Sequence, residues 1–154
     1  MKFRFKGVQE YINKLEKLSD MSLELTAIEE AVKAGAAVVA DESRKGLEEM
    51  PVDDRRYVEG KRNGLRTVQK VGLLNSWGIT DPDSQRNFIN VKTGVSREKN
   101  KLGEPNVVVA RRLERGTSWM NANPVISKAN RRSRQRCVDA MMNVIDKYIN
   151  YCMK

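Results

Sequence analysis

The sequence predicts an α+β fold in which a small antiparallel sheet of about three to four strands is packed by two long helices and shorter ones. Two long segments, about 22–50 and 124–151, place apolar residues at the three-and-four spacing of helices. Two short segments, 1–6 and 88–95, instead alternate apolar and polar residues with the period of a half-buried strand. With 154 residues, the chain is expected to form a single domain, 1–154.

The N-terminal segment predicts a strand and then a short helix. In the strand Met1–Lys6, Phe3 and Phe5 share one face, and Gly7 ends the strand. The segment 8–18 has the apolar spacing of a short amphipathic helix. Its apolar residues are Val8, Tyr11, Ile12, Leu15 and Leu18.

A longer helix is expected to begin between Ser22 and Thr26 and to run to about Met50. Thr26 followed by Glu29 matches a capping box, in which two side chains satisfy the free N–H groups of a helix start. The alanine-rich centre has little side-chain volume, which favours close packing on a sheet or on another helix. The larger contacts are expected from Ile28, Val32, Val39 and Leu47.

The middle of the chain alternates loops with short elements. Residues 51–66 are charged and lack sustained periodicity, which predicts an exposed, mobile loop. A short helical turn is expected at Thr67–Ser76, followed by a strand at Trp77–Thr80, a turn at 81–84 and a strand at Phe88–Val95. Together with the N-terminal strand, these strands would form the small antiparallel sheet.

A second polar loop precedes a short helix. Residues 96–106 are expected to be mobile, and residues 107–115 to be helical until Gly116, whose position tolerates a left-handed backbone. The core stripe of this helix is expected from Val107, Ala110 and Leu113.

The last helix has the clearest start signals in the chain. Asn123 is a favourable N-cap, Pro124 suits the first helical position, and the apolar pattern continues to about Tyr151. One stripe is apolar or small and consists of Ile126, Ala129, Ser133, Cys137, Ala140, Val144 and Tyr148. The other side carries a basic face, which centres on Lys128, Arg131 and Arg132 and includes Arg134 and Arg136 at its flanks.

The composition disfavours an enzyme. The chain has no histidine, so the usual neutral-pH base, the commonest metal ligand and every Ser-His or Cys-His arrangement are missing. Asp53 or Asp54, with Glu59 and Lys61, superficially matches the acid and acid-x-lysine spacing of metal-dependent nucleases. That segment has no periodicity to hold a metal rigidly, so a chance match is favoured. We therefore expect no catalytic residue, metal site or cofactor.

The chain is expected to fold in a reducing compartment, away from membranes. No window approaches about 18 consecutive apolar residues, and the charged start is unlike a signal peptide. Cys137 and Cys152 fall in one predicted helix, roughly 22 Å apart at 1.5 Å per residue, which is too far for a disulfide between them. Both cysteines are expected to be reduced thiols.

The charge is unevenly distributed. Residues 1–54 contain eight Lys/Arg and twelve Asp/Glu, whereas residues 55–154 contain 21 and eight. Such asymmetry suits either an anionic partner for the C-terminal half or head-to-tail contact between identical subunits. The basic face could accordingly contact DNA phosphates without sequence preference, be solvated, or meet the acidic half of a neighbour.

One segment resembles a known family. Residues 110–129, ARRLERGTSWMNANPVISKA, are similar to the motif of phage tail-completion (head-tail joining) proteins, in which a short helix ends in Glu-x-Gly-Thr-Ser and Asn/Gln-Pro opens a C-terminal helix. The matching residues are Glu114, Gly116, Thr117, Ser118, Asn123 and Pro124. FRFKGVQEYINKLEKL, VADESRKGLEEMPV, LLNSWGI and NVKTGV agree in order, so the similarity covers nearly the whole chain. The sequence departs from the motif at Arg115, Trp119 and Val125.

The resemblance implies a non-enzymatic neck subunit of a virion, assembled in the bacterial cytoplasm. Such a subunit would form a homo-oligomeric ring, most simply a hexamer, around the DNA passage. Its partners would be a tail terminator or tail tube and the head connector or stopper, with possible non-specific contact to passing DNA. The alternatives are a tail terminator ring protein and a basic protein of a prophage that binds double-stranded DNA non-specifically.

Overall fold

The computed structural model describes residues 21–57, 59–85 and 88–153. Their helices are α1 (Met21–Glu48), α2 (Thr67–Ser76), α3 (Asn106–Arg115) and α4 (Val125–Met153), and their strands are β1 (Trp77–Ile79), β2 (Asp83–Gln85), β3 (Phe88–Asn90) and β4 (Thr93–Val95). The α+β class is confirmed. The strand predicted at Met1–Lys6 and the helix predicted at 8–18 lie outside the described residues.

The two long helices, α1 and α4, form an antiparallel pair. A Cβ atom on Gly35 would lie 2.7 Å from Cγ of Met141 and 2.9 Å from Sγ of Cys137, and Gly46 likewise lies against Val125. The helices can approach this closely because the centre of α1 has so little side-chain volume. The predicted close packing is confirmed, and the partner is a helix. The predicted capping box is wrong, because Thr26 lies inside α1 rather than at its start.

The main core lies at one end of this pair, where the C-terminal end of α1 and the start of α4 meet α2 and α3. Its buried residues are Leu47, Met50, Leu65, Leu73, Val109, Ala110, Leu113, Met120 and Val125. Two sequence predictions need correction. On α3, Val109 is buried and Val107 only half-buried. On α1 the side chain of Ile28 is 43% exposed, whereas the neighbouring Ala27 and Ala31 are buried.

The strands form a bulged hairpin. β1 pairs with β4 and β2 with β3, both antiparallel, with Trp77 opposite Val95 and Gln85 opposite Phe88. Between the two ladders, residues 80–82 stand opposite residues 91–92, so the first strand carries one extra residue. Pro82 lies in this bulge and has no N–H to donate to a ladder.

The bulge explains why the strand predictions differ from the structure. The expected turn at 81–84 is wrong, because Asp83 and Ser84 belong to β2. The expected strand Phe88–Val95 is divided into β3 and β4. Within the described residues, the strands form two two-stranded antiparallel ladders, and the single sheet of three to four strands stays a prediction.

Candidate functional site

The junction between α3 and α4 contains the residues that resemble the phage family. Gly116 ends α3 with φ of 72° and ψ of 175°, and its N–H donates to the carbonyl of Arg112 at 2.7 Å. A Cβ atom there would lie 2.8 Å from the backbone nitrogen of Ala122. Few residues other than glycine adopt this backbone conformation, so the predicted stop at Gly116 is confirmed.

Glu114 caps the start of α4 from the neighbouring helix. One carboxylate oxygen accepts a hydrogen bond from the N–H of Ile126 at 2.6 Å, and the other accepts from the Ser127 hydroxyl at 2.8 Å and its N–H at 3.3 Å. A carboxylate at a helix N-terminus satisfies free N–H groups and is favoured by the helix dipole. Glu114 therefore fixes the direction in which α4 leaves the core.

The predicted N-cap is wrong by residue and by mechanism. The amide of Asn123 donates to the sulfur of Met50, and its backbone N–H donates to the carbonyl of Leu113 at 2.7 Å. The carbonyl of Pro124 accepts the first helical hydrogen bond, from Lys128 at 3.0 Å, so Pro124 precedes the helix. The N–H groups at the start of α4 are bound by Glu114 instead. Asn123 holds the connecting segment to the core through Met50 and Leu113.

The connecting segment is also tied to the loop 51–66. The Thr117 hydroxyl accepts from the N–H of Trp119, whereas Ser118 is exposed. The N–H of Arg62 donates to the carbonyl of Trp119, and the N–H of Asn121 donates to the carbonyl of Arg62, both at 2.9 Å. The motif and the loop therefore form one joined surface.

The base of the loop 51–66 is held by charged contacts. The Asp53 carboxylate accepts two hydrogen bonds from the Arg55 guanidinium, at 2.8 and 2.9 Å. The hydrogen bond from Arg55 lowers the pKa of Asp53 to about 2, because it stabilises the charged carboxylate. The Arg62 guanidinium binds the carbonyls of Asp53 and Arg55 at 2.8 and 2.6 Å. At the tip, Tyr57 is 85% exposed, while the mobility of this loop stays a prediction.

The nuclease-like residues are distributed between the base and the tip of that loop. Asp54 accepts from the N–H of Thr67 at 2.8 Å and from its hydroxyl, and these hydrogen bonds lower the pKa of Asp54. Glu59 and Lys61 are exposed near the tip. Within the described ranges, no three His, Cys, Asp or Glu side chains cluster as metal ligands would.

The basic face of α4 points to solvent. Its five members, Lys128, Arg131, Arg132, Arg134 and Arg136, are all exposed. Arg136 pairs with Glu42 at 3.1 Å, and among the described residues the other four form no ion pair. The opposite side of the helix faces α1, and there Ala129 and Ser133 are buried. The predicted cations are therefore all exposed, with Lys128, Arg131 and Arg132 on the outer side of α4 and Arg134 and Arg136 on its two flanks.

An apolar stripe on α4 extends the same outer surface toward the C-terminus, and the sequence reasoning missed it. Val138, Met142 and Ile149 are 46%, 53% and 43% exposed, and Ile145 between them is half-buried. They recur every three or four residues, so they share one side of the helix, in line with Arg131. This heptad spacing was readable from the sequence. We call Val138, Met142, Ile145 and Ile149 the outer stripe.

Comparison of the chain with protein-family models, with curated proteins and with solved structures finds no match. The resemblance to tail-completion proteins therefore stays a prediction from the sequence. Among the described residues, no helix is long and apolar enough to cross a membrane.

Proposed function

We propose that the protein is a non-enzymatic structural subunit of a phage neck. It would form a ring that completes the tail and joins it to the head connector around the DNA passage. The proposal is supported by the resemblance of residues 110–129 to the tail-completion motif. It is also supported by the contacts of Glu114 and the backbone turn at Gly116, since both set the direction of α4. The observation that carries it is the outer surface of α4, where an exposed basic half continues into an exposed apolar half.

The outer stripe supports contact between subunits. Three large apolar side chains exposed in line on one helix are typical of a surface that is covered on assembly. Leu25 and Ile28, at the same end of the α1–α4 pair, are also more than 40% exposed. In a head-to-tail contact, different patches of identical subunits meet, which generates a ring when the rotation closes. A hexamer is the ring size that we propose.

The charge asymmetry fits the same arrangement. The acidic N-terminal segment of one subunit would meet the basic C-terminal half of the next, or the basic face would line the channel and contact passing DNA. The tail terminator or tail tube and the head connector or stopper would bind the two ends of the ring, in a virion assembled in the bacterial cytoplasm. The single sheet of three to four strands, completed by Met1–Lys6, is part of this proposal.

Two other functions remain candidates. A tail terminator would use the same ring and surface. A non-specific double-stranded-DNA-binding protein is favoured by one observation, the four exposed cations on α4 that form no ion pair among the described residues.

Light scattering with and without duplex DNA, at low and moderate salt, distinguishes these classes. The neck proposal predicts a defined oligomer, or a monomer indifferent to free DNA at moderate salt. A monomer that binds DNA tightly, with affinity falling steeply as salt rises, would replace it by the DNA-binding function.

A further inference from the structure

A second surface, separate from α4, has the features of a binding site. A cavity of about 510 Å³ opens between the loop 51–66, the start of α2, the loop 96–106 and the segment that follows α3. Its walls include Arg66, Leu102, Glu104, Arg112, Trp119 and Met120. This volume lies in the range of about 300–1,000 Å³ that small-ligand sites occupy, which is enough for a few peptide residues.

One wall of the cavity is apolar and accessible. Leu102 is 49% exposed and Trp119 is 45% exposed, while Met120 behind them is buried. Tryptophan is enriched among the residues that contribute most to binding between proteins, so an exposed tryptophan in a cavity suits a protein partner. This wall would receive an apolar side chain.

The polar part of the lining is held in place without a ligand. Glu104 accepts hydrogen bonds from the Gln69 amide at 2.7 Å and from the Arg112 guanidinium at 2.9 Å. The hydrogen bond from Gln69 is the larger influence that keeps the pKa of Glu104 below its ordinary value. The Arg112 guanidinium also lies 5.8 Å from the centre of the Trp119 ring, a cation–π contact that holds the two side chains against each other.

The cavity carries excess positive charge. Three of its arginines are Arg62, Arg66 and Arg112, and its carboxylate is Glu104. Arg62 is bound to two backbone carbonyls and Arg112 to Glu104, whereas the Arg66 guanidinium forms no ion pair within the described part of the chain. Arg66 contributes to the lowered pKa of Asp54 only through its charge. Its guanidinium is therefore available to a carboxylate.

We propose that this cavity binds an acidic peptide segment with an apolar residue, supplied by another protein chain. A carboxylate of the segment pairs with Arg66, and the apolar side chain packs on Trp119 and Leu102. The guanidinium of an arginine can bind a carboxylate through two parallel N–H donors, so Arg66 is well suited to an aspartate or glutamate of the segment. A nucleic-acid backbone needs cations along its length, whereas this lining offers one guanidinium without an ion pair within the described part of the chain, that of Arg66.

Fluorescence of Trp119 reports on this site directly. In the Trp77→Phe variant, Trp119 is the sole tryptophan, so all indole fluorescence comes from the cavity. The substitution removes no hydrogen bond, because Nε1 of Trp77 has no partner among the described residues. The probe is a short capped peptide of alternating aspartate and leucine, and the control peptide replaces aspartate by lysine. The proposal predicts a saturable blue shift with the acidic peptide alone.

Matched variants locate the binding. Arg66→Glu is expected to weaken binding of the acidic peptide at least about tenfold, and a negative residue at the start of α2 does not oppose that helix. Arg134→Glu makes the same charge change on the basic face of α4 and is expected to leave the affinity within about twofold. Leu102→Ser, which keeps the indole, is expected to weaken binding as well.

Three results would overturn the proposal: no saturable shift, equal weakening by Arg66→Glu and Arg134→Glu, or full affinity in Leu102→Ser. Tighter binding of a single-stranded oligonucleotide, lost in Arg66→Glu, would also overturn it and assign the cavity to nucleic acid. Circular dichroism of each variant confirms that the fold is intact.

Discussion

The two ends of the α1–α4 pair differ in how their apolar side chains are packed. At one end, the start of α4 is capped by Glu114, and Leu47, Leu113 and Val125 pack into the shared core with α2 and α3. At the other end, the helices pack on each other, while Ile28, Met142 and neighbouring apolar residues face outward. The first end has the packing of a completed domain. The second end has an apolar surface that an assembly partner would cover.

Truncating one apolar side chain at each end gives the sharpest contrast. Leu113→Ala is expected to lower the free energy of unfolding by about 2–5 kcal/mol, because it leaves a cavity in a fully packed core. Met142→Ala removes a side chain that is 53% exposed and should cost less than about 0.5 kcal/mol in the monomer. Urea unfolding of both variants measures the difference. Equal losses would mean that the two ends are packed alike.

The second largest effect is expected where α3 turns toward α4. Gly116→Ala places a Cβ atom 2.8 Å from the backbone nitrogen of Ala122 at a φ of 72°. We expect a loss of about 1–3 kcal/mol in urea unfolding. Gly60→Ala is the matched control, because Gly60 also has positive φ but has no atom within 4 Å of the added carbon. A loss in Gly60→Ala as large as in Gly116→Ala would refute the backbone-clash explanation.

Removing the cap on α4 is expected to have a somewhat smaller effect. Glu114→Ala leaves the N–H groups of Ile126 and Ser127 without their acceptor and should lower the free energy of unfolding by about 1–2 kcal/mol. Hydrogen exchange at these two N–H groups should accelerate in the same variant. Asn123→Ala is the comparison, and unchanged exchange in Glu114→Ala with faster exchange in Asn123→Ala would restore Asn123 as the cap.

The smallest effect is expected at acid pH, in the loop beside the core. The pKa of Asp53 is about 2 in the folded chain, below its ordinary value of 3.8, because Arg55 binds the charged carboxylate. The stabilisation is therefore complete above about pH 4 and is lost as the pH falls toward 2. Asp53→Asn should reduce the acid dependence of the urea midpoint across this window. An identical dependence in both proteins would exclude this carboxylate as its source.

Much of this comparison is local and could be predicted from the sequence. The long helices, the stop at Gly116 and the basic face follow from spacing within one element, and the structure has them near the predicted positions. The cap by Glu114 could not be found by the same reasoning, because its partners lie twelve and thirteen residues away on another helix. Asparagine is a preferred N-cap residue, but the side chain of Asn123 contacts Met50 in the core instead of capping α4.

Other misses have equally specific causes. The turn predicted at 81–84 contains Pro82, whereas the structure places Pro82 in a bulge between two ladders. The base of the loop 51–66 is held by single contacts, such as that of Asp53 with Arg55. Contacts of this kind leave no periodic pattern of apolar residues in the sequence. The cavity beside Trp119 joins four separate segments, so no local pattern marks it.

Electron microscopy of the negatively stained protein tests the central claim, that the outer surface of α4 joins subunits into a ring. The account predicts closed rings with a central channel for the wild type at concentrations where light scattering shows an oligomer. It predicts their loss in Met142→Asp, which puts a charge in the outer stripe, but not in Lys101→Asp, an exposed site away from α4. Rings that persist in Met142→Asp, or a wild type that stays monomeric and binds duplex DNA tightly, would contradict it.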